Sequence, residues 1–168
     1  MCGNGIRCFA RFIIDQQDKL ENMTDELLIE TKAGLIKASL LSDKRISVDM
    51  GRPYLNPAEI PTLFKYSVNG IPHGYVEMEN KSLEAYAVGM GNPHMTVPIK
   101  ELDLLPLEYF GRQLEHNVNF PEKTNVHFVQ LLSRKKLKVF VWERGCGATP
   151  ACGTGACAVH VAFYLNGL

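Results

Sequence analysis

The sequence lacks an excess of charge of either sign, because 18 Lys and Arg residues balance 18 Asp and Glu residues. A neutral chain offers no strongly basic surface, so we expect neither nucleic acid nor a membrane as a partner. The sequence also lacks an apolar run of about 18 residues, which argues against a transmembrane helix. No signal peptide precedes the first cysteine motif, and we therefore expect a cytoplasmic protein.

The cysteines are few, and their spacing excludes the common metal and disulfide patterns. They are Cys2, Cys8, Cys146, Cys152 and Cys157. An odd number, in a chain long enough to build a core, argues against a disulfide scaffold. The C-x2-C and H-x3-5-H spacings of zinc sites are missing, so we expect reduced thiols and no metal. The missing C-x-x-C pair also argues against the alternative of a thiol redox protein.

Apolar periodicity predicts an α+β protein with mostly antiparallel sheets, since strands and helices do not alternate regularly. Alternating stretches indicate strands, and apolar residues three or four positions apart indicate helices. In chain order, the predicted elements are a helix at about 4–17, strands at about 27–32, 35–41, 45–50, 64–69, 73–79 and 83–89, a helix with Leu107, Phe110 and Leu114 on one face, a hairpin of "NVHFVQLL" and "KLKVFVWE", and a helix from Gly155.

Proline divides these elements into two groups. The segment "GRPYLNPAEIPTLF" contains Pro53, Pro57 and Pro61, and proline lacks the N–H that a regular strand ladder needs. We therefore predict a linker here, with one half-domain in residues 1–52 and another in residues 53–168. Further along, "GMGNPHMTVPI" predicts a loop rich in glycine and proline that leads into a short strand.

Two distant segments share one pattern, Cys-Gly-x-Gly followed by a helix: "MCGNGIRCFARF" and "ACGTGACAVHVA". The first N–H groups of a helix lack internal partners and carry partial positive charge, so such an end binds anions and lowers the pKa of a thiol. The duplication favours a functional role for Cys2 and Cys152. We interpret Cys8, Cys146 and Cys157 as small buried apolar residues.

Four segments, in this order, resemble those of the diaminopimelate epimerase family: "MCGNGIRCFARF", "MGNPH", "TNVHFV" and "WERGCGATPACGTGACA". The resemblance covers essentially the whole chain, but family members are longer. It implies two pseudo-symmetric halves, each a mostly antiparallel sheet around a central helix with a catalytic cysteine at its N-terminus. Residues 1–52 would be the remainder of the N-terminal half-domain and residues 53–168 most of the C-terminal one. The chain would then be a fragment, inactive and poorly folded by itself.

The resemblance implies an isomerase that interconverts LL- and meso-diaminopimelate in lysine biosynthesis, with no cofactor and no metal. One thiolate removes the α-proton and the other thiol reprotonates the opposite face, and these positions match Cys2 and Cys152. Helix N-termini would stabilise the charge that develops on the α-carboxylate. The N–H groups expected to do so belong to Gly3, Asn4, Gly153 and Thr154. The partner would be a small amino acid, and the full-length protein a homodimer.

Further motif residues match family positions with assigned roles. Asn92 and Asn125 match substrate-binding asparagines, and His94 matches a residue that helps to set the protonation of a catalytic thiol. Glu143 and Arg144 match residues that hold the distal end of the substrate, and Glu143 is also linked to thiol tuning. The other histidines match no motif position, and we interpret them as structural or surface residues: His73, His116, His127 and His160.

Two alternatives remain open at this point. Proline racemases and hydroxyproline epimerases also use two cysteines in glycine-rich motifs, although they typically have His where this chain has Asn4. The second alternative is a non-catalytic remnant of an enzyme. The motifs lean towards cyanobacterial or plastid members of the family, so the plastid stroma is the alternative to the cytoplasm.

Overall fold

The computed structural model describes residues 2–16, 24–32, 34–67 and 69–167. These residues form two compact units, Met1–Gly51 and Arg52–Leu168. Within the described ranges, three α-helices and ten strands, most of the strands paired antiparallel, confirm the predicted α+β class. In the part of the chain that is described, no helix has both the length and the apolar character needed to cross a membrane.

The first unit packs one helix against a small antiparallel sheet. Apolar residues at helical spacing on α1, including Ile6 and Ala10, pack with Ile36 and Ala38 of the sheet. The strand order is β1-β2-β3. The elements are α1 (Gly3–Ile14), β1 (Glu26–Thr31), β2 (Gly34–Leu40) and β3 (Ile46–Val48). These confirm the predicted helix and three strands, although predicted helix residue 17 lies outside the described residues.

The second unit is built on a seven-stranded sheet of order β10-β9-β8-β7-β6-β5-β4. Neighbouring strands are antiparallel except for β7 and β8, which are parallel because α2 lies in the crossover between them. The strands are β4 (Lys65–Tyr66), β5 (Pro72–Met78), β6 (Lys81–Gly89), β7 (Pro93–Pro98), β8 (Asn125–Ser133), β9 (Lys136–Glu143) and β10 (Gly147–Thr149). The helices are α2 (Leu107–Glu115) and α3 (Gly153–Leu165). The other predicted strands, the hairpin and the two helices are confirmed. Of the strand predicted at 64–69, only Lys65–Tyr66 forms a strand, and residue 68 lies outside the described residues.

The two faces of this sheet have different characters at its centre. Side chains alternate between faces along β7 and β8. One face joins the main core, where Met95, Val97, Val126 and Phe128 pack with Phe110 and Leu114 of α2. The opposite face packs against α3 through Val129. The register of the parallel pair places His94, Thr96, Asn125 and His127 on the α3 face. Polar residues are therefore concentrated on that face.

The proline-rich segment, which we predicted to link two halves, starts at the boundary between the two units and packs on the second unit. Its prolines do prevent a long strand, leaving one isolated bridge and a 3-10 turn at Pro57–Glu59. However, the apolar side chains of Ile60 and Phe64 are buried in the main core, which ties the segment to the second unit. The assignment of residues 1–52 and 53–168 to two half-domains stays a prediction.

The glycine- and proline-rich loop is shorter than its composition suggests. Strand β7 already begins at Pro93, whose missing N–H is tolerated at the first residue of a strand. His94 consequently lies within the sheet and is fully buried.

Candidate functional site

Both Cys-Gly-x-Gly motifs fold into the same local structure. Cys2 and Cys152 are extended residues that cap α1 and α3, with φ and ψ of −120° and 110° and of −127° and 118°. Each thiol accepts a hydrogen bond of 3.4 Å from the N–H three residues later, that of Gly5 or of Gly155. The prediction of a cysteine at each helix N-terminus is confirmed, and each thiol satisfies one of the helix's unpaired N–H groups.

The surroundings of Cys152 raise the pKa of its thiol rather than lower it. Burial raises the pKa most, while hydrogen bonds with the Thr154 hydroxyl and the Gly155 N–H lower it. The Glu143 carboxylate raises the pKa further. Our expectation of a lowered pKa at this helix end is therefore wrong for Cys152, because desolvation and a neighbouring anion outweigh the helix N–H groups. Cys152 is a protonated thiol at neutral pH, suited to donate a proton.

Glu143 ends strand β9 and Arg144 begins the turn after it, and hydrogen bonds to other segments hold both residues. The Thr149 hydroxyl donates to Glu143 Oε1 at 2.6 Å. The Arg144 backbone N–H donates to Asn125 Oδ1 at 3.0 Å, and its Nη1 donates to the carbonyl of Glu122 at 2.9 Å. These bonds fix the turn that leads from β9 towards α3.

The two asparagines lie next to the parallel strand pair. Asn125, the first residue of β8, donates through Nδ2 to the carbonyl of Pro93 at 2.8 Å. Because its oxygen accepts from Arg144, this one amide joins β7, β8 and the end of β9. Asn92 lies just before β7 and contacts His94, with its Oδ1 at 2.9 Å from Nε2 of the ring.

His94 and His127 form a buried pair behind these residues. His94 Nδ1 and His127 Nε2 are 2.8 Å apart, and both rings are fully buried. Burial lowers the pKa of both groups, that of His127 to about 4, so both rings are neutral at pH 7. The neighbouring His127 and the positive charge of Arg144 lower the pKa of His94 further.

The sequence interpretation placed His127 among the structural or surface residues, and the structure shows it fully buried in the sheet. Its ring packs directly on the first turn of α3, where a Cβ on Gly155 would lie 2.2 Å from Cε1. The residue belongs to the same face as Asn125 because it lies two positions further along β8. The two-residue period of a strand could therefore have indicated that His127 shares a face with Asn125.

Most of the predicted site residues come together in the second unit. Hydrogen bonds and electrostatic interactions connect the following residues, and Gly153 opens the helix that Cys152 caps: Asn92, His94, Asn125, Glu143, Arg144, Cys152 and Thr154. Cys2, Gly3 and Asn4 form the corresponding helix start of the first unit.

The remaining cysteines do not fit their predicted role as buried apolar residues. Cys8 on α1 and Cys146 in the turn between β9 and β10 are exposed, and Cys157 on α3 is half-buried. All five thiols are free of disulfides. Within the described ranges, no group of three or more His, Cys, Asp or Glu side chains is arranged to hold a metal ion.

Comparison with known proteins agrees with the motifs. The sequence profile of the family described as diaminopimelate epimerase matches residues 86–168. The chain is 49% identical to the diaminopimelate epimerase of Prochlorococcus marinus (strain MIT 9313), over all of this chain and 55% of that protein. It is 46% identical to that of Carboxydothermus hydrogenoformans, over 99% of this chain and 59% of that protein. The chain thus spans little more than half the length of these curated relatives.

Solved structures with the same fold have far less sequence in common with the chain. A probable proline racemase from Agrobacterium radiobacter K84 aligns with a TM-score of 0.67 at 15% identity, covering 99% of this chain and 53% of that one. A hydroxyproline epimerase from Agrobacterium vitis aligns with a TM-score of 0.61 at 14% identity, covering 96% and 51%. At this identity the likeness concerns the fold alone. The sequence similarity extends along the whole chain and relates it to proteins named diaminopimelate epimerase over little more than half of their length.

Proposed function

We propose that the protein carrying this chain epimerises diaminopimelate between its LL and meso forms without a cofactor, using Cys2 and Cys152 as its two acid–base groups. The observation that carries the proposal is the matching geometry of the two cysteine-capped helices. Each motif combines a thiol with helix N–H groups, which is the combination that proton transfer next to a carboxylate requires.

The proposed reaction is a balanced exchange of protons. In one direction a thiolate takes the α-proton and becomes a thiol, while the other thiol gives its proton to the opposite face of the α-carbon and becomes a thiolate. The raised pKa of the Cys152 thiol supports a role as proton donor in one direction of the reaction. In the reverse direction the two roles are exchanged.

The remaining site residues would bind the amino acid. We assign the N–H groups of Gly3, Asn4, Gly153 and Thr154 to the α-carboxylate, where they would stabilise the charge that develops on it. We assign Asn92 and Asn125 to the substrate, and Glu143 and Arg144 to its distal amino-acid group. Arg144 supplies positive charge for a carboxylate, and Glu143 negative charge for an ammonium group. His94 would influence a thiol's protonation from behind Asn92.

Deuterium exchange in a protein with the full length of its curated relatives tests this proposal. We expect α-deuterium to enter both LL- and meso-diaminopimelate in D2O. Cys2→Ser and Cys152→Ser should each slow epimerisation by at least about 100-fold, the usual contribution of a general acid or base. The exposed Cys146 provides the matched control, and Cys146→Ser should retain the wild-type rate.

The same assay separates the alternative substrates. Exchange into proline or hydroxyproline but not into diaminopimelate would replace the proposed activity by that of a proline-type racemase. Wild-type rates in both the Cys2→Ser and the Cys152→Ser variant would rule out the two-thiol mechanism. The absence of exchange into any amino acid would favour a non-catalytic descendant.

We also propose a lysine-biosynthetic role and, for the full-length protein, a homodimer that works in the cytoplasm or, in a plant or alga, in the plastid stroma. Sedimentation equilibrium of the full-length protein tests the dimer, and a sedimenting mass of one chain would contradict it.

A further inference from the structure

Two buried imidazole rings lie between the helix that carries Cys152 and the loop that carries Asn92. Two consecutive hydrogen bonds connect the rings to each other and to Asn92. His127 Nε2 lies 2.8 Å from His94 Nδ1, and His94 Nε2 lies 2.9 Å from Asn92 Oδ1. Neither ring is exposed to solvent. These side-chain hydrogen bonds therefore connect β8, β7 and the loop before β7.

The amide oxygen at one end fixes the direction of each hydrogen bond. An amide oxygen only accepts, so His94 Nε2 must donate to Asn92. A neutral imidazole has a single N–H, and His94 Nδ1 must therefore accept from the N–H of His127 Nε2. This leaves His127 Nδ1 without a proton, and that buried atom has no hydrogen-bond partner among the described residues.

We propose that His127 is a positioning residue that orients the Asn92 amide through His94. Its Nε2–H holds His94 in the tautomer protonated at Nε2, and that N–H holds the oxygen of Asn92 inward. The amino group of Asn92 is then directed to a ligand as a donor, which suits a carboxylate oxygen. That the ligand is an amino acid rests on the proposed function, whereas the hydrogen-bond directions do not.

The contact with α3 explains why the ring can hold this position. A Cβ on Gly155 would lie 2.2, 2.7 and 2.9 Å from Cε1, Nε2 and Nδ1 of His127, so the backbone of the helix is packed against that edge of the ring. The ring cannot move towards α3, and Nε2 stays in reach of His94. His127 thus links the turn that caps Cys152 with the asparagine.

Without the His127 donor, a second arrangement becomes accessible. His94 could then carry its proton on Nδ1 and accept at Nε2, and the Asn92 amide would turn to donate to the ring. Its oxygen would face the ligand and repel a carboxylate. The expected defect is therefore in substrate binding more than in the chemical step.

Histidine 15N chemical shifts in the full-length protein test the tautomers without any substrate. Two-bond 1H–15N correlations should show His94 and His127 neutral and protonated at Nε2 at pH 7. The His127→Gln variant identifies the His127 signals by their loss and retains a side-chain N–H donor. A His94 ring protonated at Nδ1, or at both nitrogens, would overturn the proposal.

Kinetics test the consequence for binding. His127→Leu should raise KM for diaminopimelate about tenfold, the effect of losing one properly directed hydrogen bond, with a smaller change in kcat. His127→Gln should restore most of the loss. An unchanged KM in His127→Leu would overturn the positioning role, and if that variant does not fold, the tautomers and the His127→Gln kinetics decide.

Thr96→Val is the matched control for these measurements. Thr96 is the register partner of His127 on the same face, and its buried hydroxyl has no hydrogen-bond partner in the described part of the chain. This variant should leave KM unchanged, and a KM raised as much as in His127→Leu would contradict the assignment to His127. A wild-type protein without exchange activity would contradict the proposed function, but its tautomers would still test the positioning role.

Discussion

The carboxylate of Glu115 and the indole N–H of Trp142 form a buried hydrogen bond of 2.7 Å between α2 and β9. The other carboxylate oxygen accepts from the backbone N–H of Gly145 at 3.0 Å. One buried side chain therefore anchors the turn that directly follows Glu143 and Arg144. Its contribution is structural, since it holds the backbone on which the two site residues are presented.

Glu115→Gln should destabilise the protein by about 1–3 kcal/mol, because Gln has one acceptor oxygen and its amide N–H2 faces a donor. Urea unfolding of the full-length protein measures this, with the exposed Glu77→Gln as a control expected to change stability by less than about 0.5 kcal/mol. Equal stabilities of Glu115→Gln and wild type would contradict an anchoring role.

Acid should weaken the same anchor. Burial acts to raise the pKa of Glu115, but the hydrogen bonds from Trp142 and Gly145 outweigh it and leave the pKa below its ordinary value of 4.5. The stabilisation is therefore present above about pH 4.5 and is lost as the pH falls through the folded-state value. The wild-type advantage over Glu115→Gln should shrink below pH 4.5, and an advantage that grows there would contradict this sign.

Acid should also destabilise the folded protein through its buried histidine pair, at higher pH than through Glu115. The pKa of His127 falls from 6.5 to about 4 on folding, and unfolded chains therefore bind more protons than folded ones between these values. Stability should fall by about 1.4 kcal/mol per pH unit and per buried histidine as the pH drops through this range. Urea midpoints at several pH values measure the slope, which should be shallower in His127→Gln. Identical slopes in the two proteins would speak against a neutral buried His127.

Glu143→Gln should lower the pKa of the Cys152 thiol, because it removes a carboxylate that favours the protonated form. The pH dependence of alkylation of Cys152, followed by peptide mass spectrometry, reports the thiolate fraction. Thr154→Val should shift the profile the other way, since its hydroxyl lies 3.3 Å from the sulfur and lowers the pKa. Shifts of both variants in the same direction would disagree with these assignments.

We expect Thr149 to affect kcat/KM through its hydrogen bond to Glu143. Its hydroxyl donates to the Glu143 carboxylate at 2.6 Å, so Thr149→Val leaves that carboxylate without its strand-end donor. We expect kcat/KM for diaminopimelate to fall about tenfold in Thr149→Val and to be largely retained in Thr149→Ser, which keeps the hydroxyl. If Thr149→Ser is impaired as strongly as Thr149→Val, the methyl group rather than the hydrogen bond is responsible.

Local patterns predicted the elements well because each depends on neighbours in sequence. The stripe of Ile6, Ala10 and Ile14 gave the first helix, and the alternation in β8 and β9 gave the hairpin. The cysteine motifs gave both helix starts. By contrast, the parallel pairing of β7 with β8 depends on a crossover, and sequence patterns carry little information on which strands become neighbours.

The properties that depend on distant residues were the ones that the sequence did not reveal. A raised pKa of Cys152 requires knowing that the thiol is buried next to Glu143. The role of His127 requires knowing that β7 lies beside it and that α3 packs over it. Likewise, the burial of Ile60 in the main core could not be read from a segment dominated by proline.

The contact between Gly155 and His127 gives the second glycine of the two Cys-Gly-x-Gly motifs different steric requirements. In the first motif, a Cβ on Gly5 would meet the Cys2 thiol at 3.6 Å, an ordinary contact that an alanine could make. In the second, any side chain at position 155 collides with an imidazole. A smaller residue at position 127 would therefore relax the requirement for glycine at position 155.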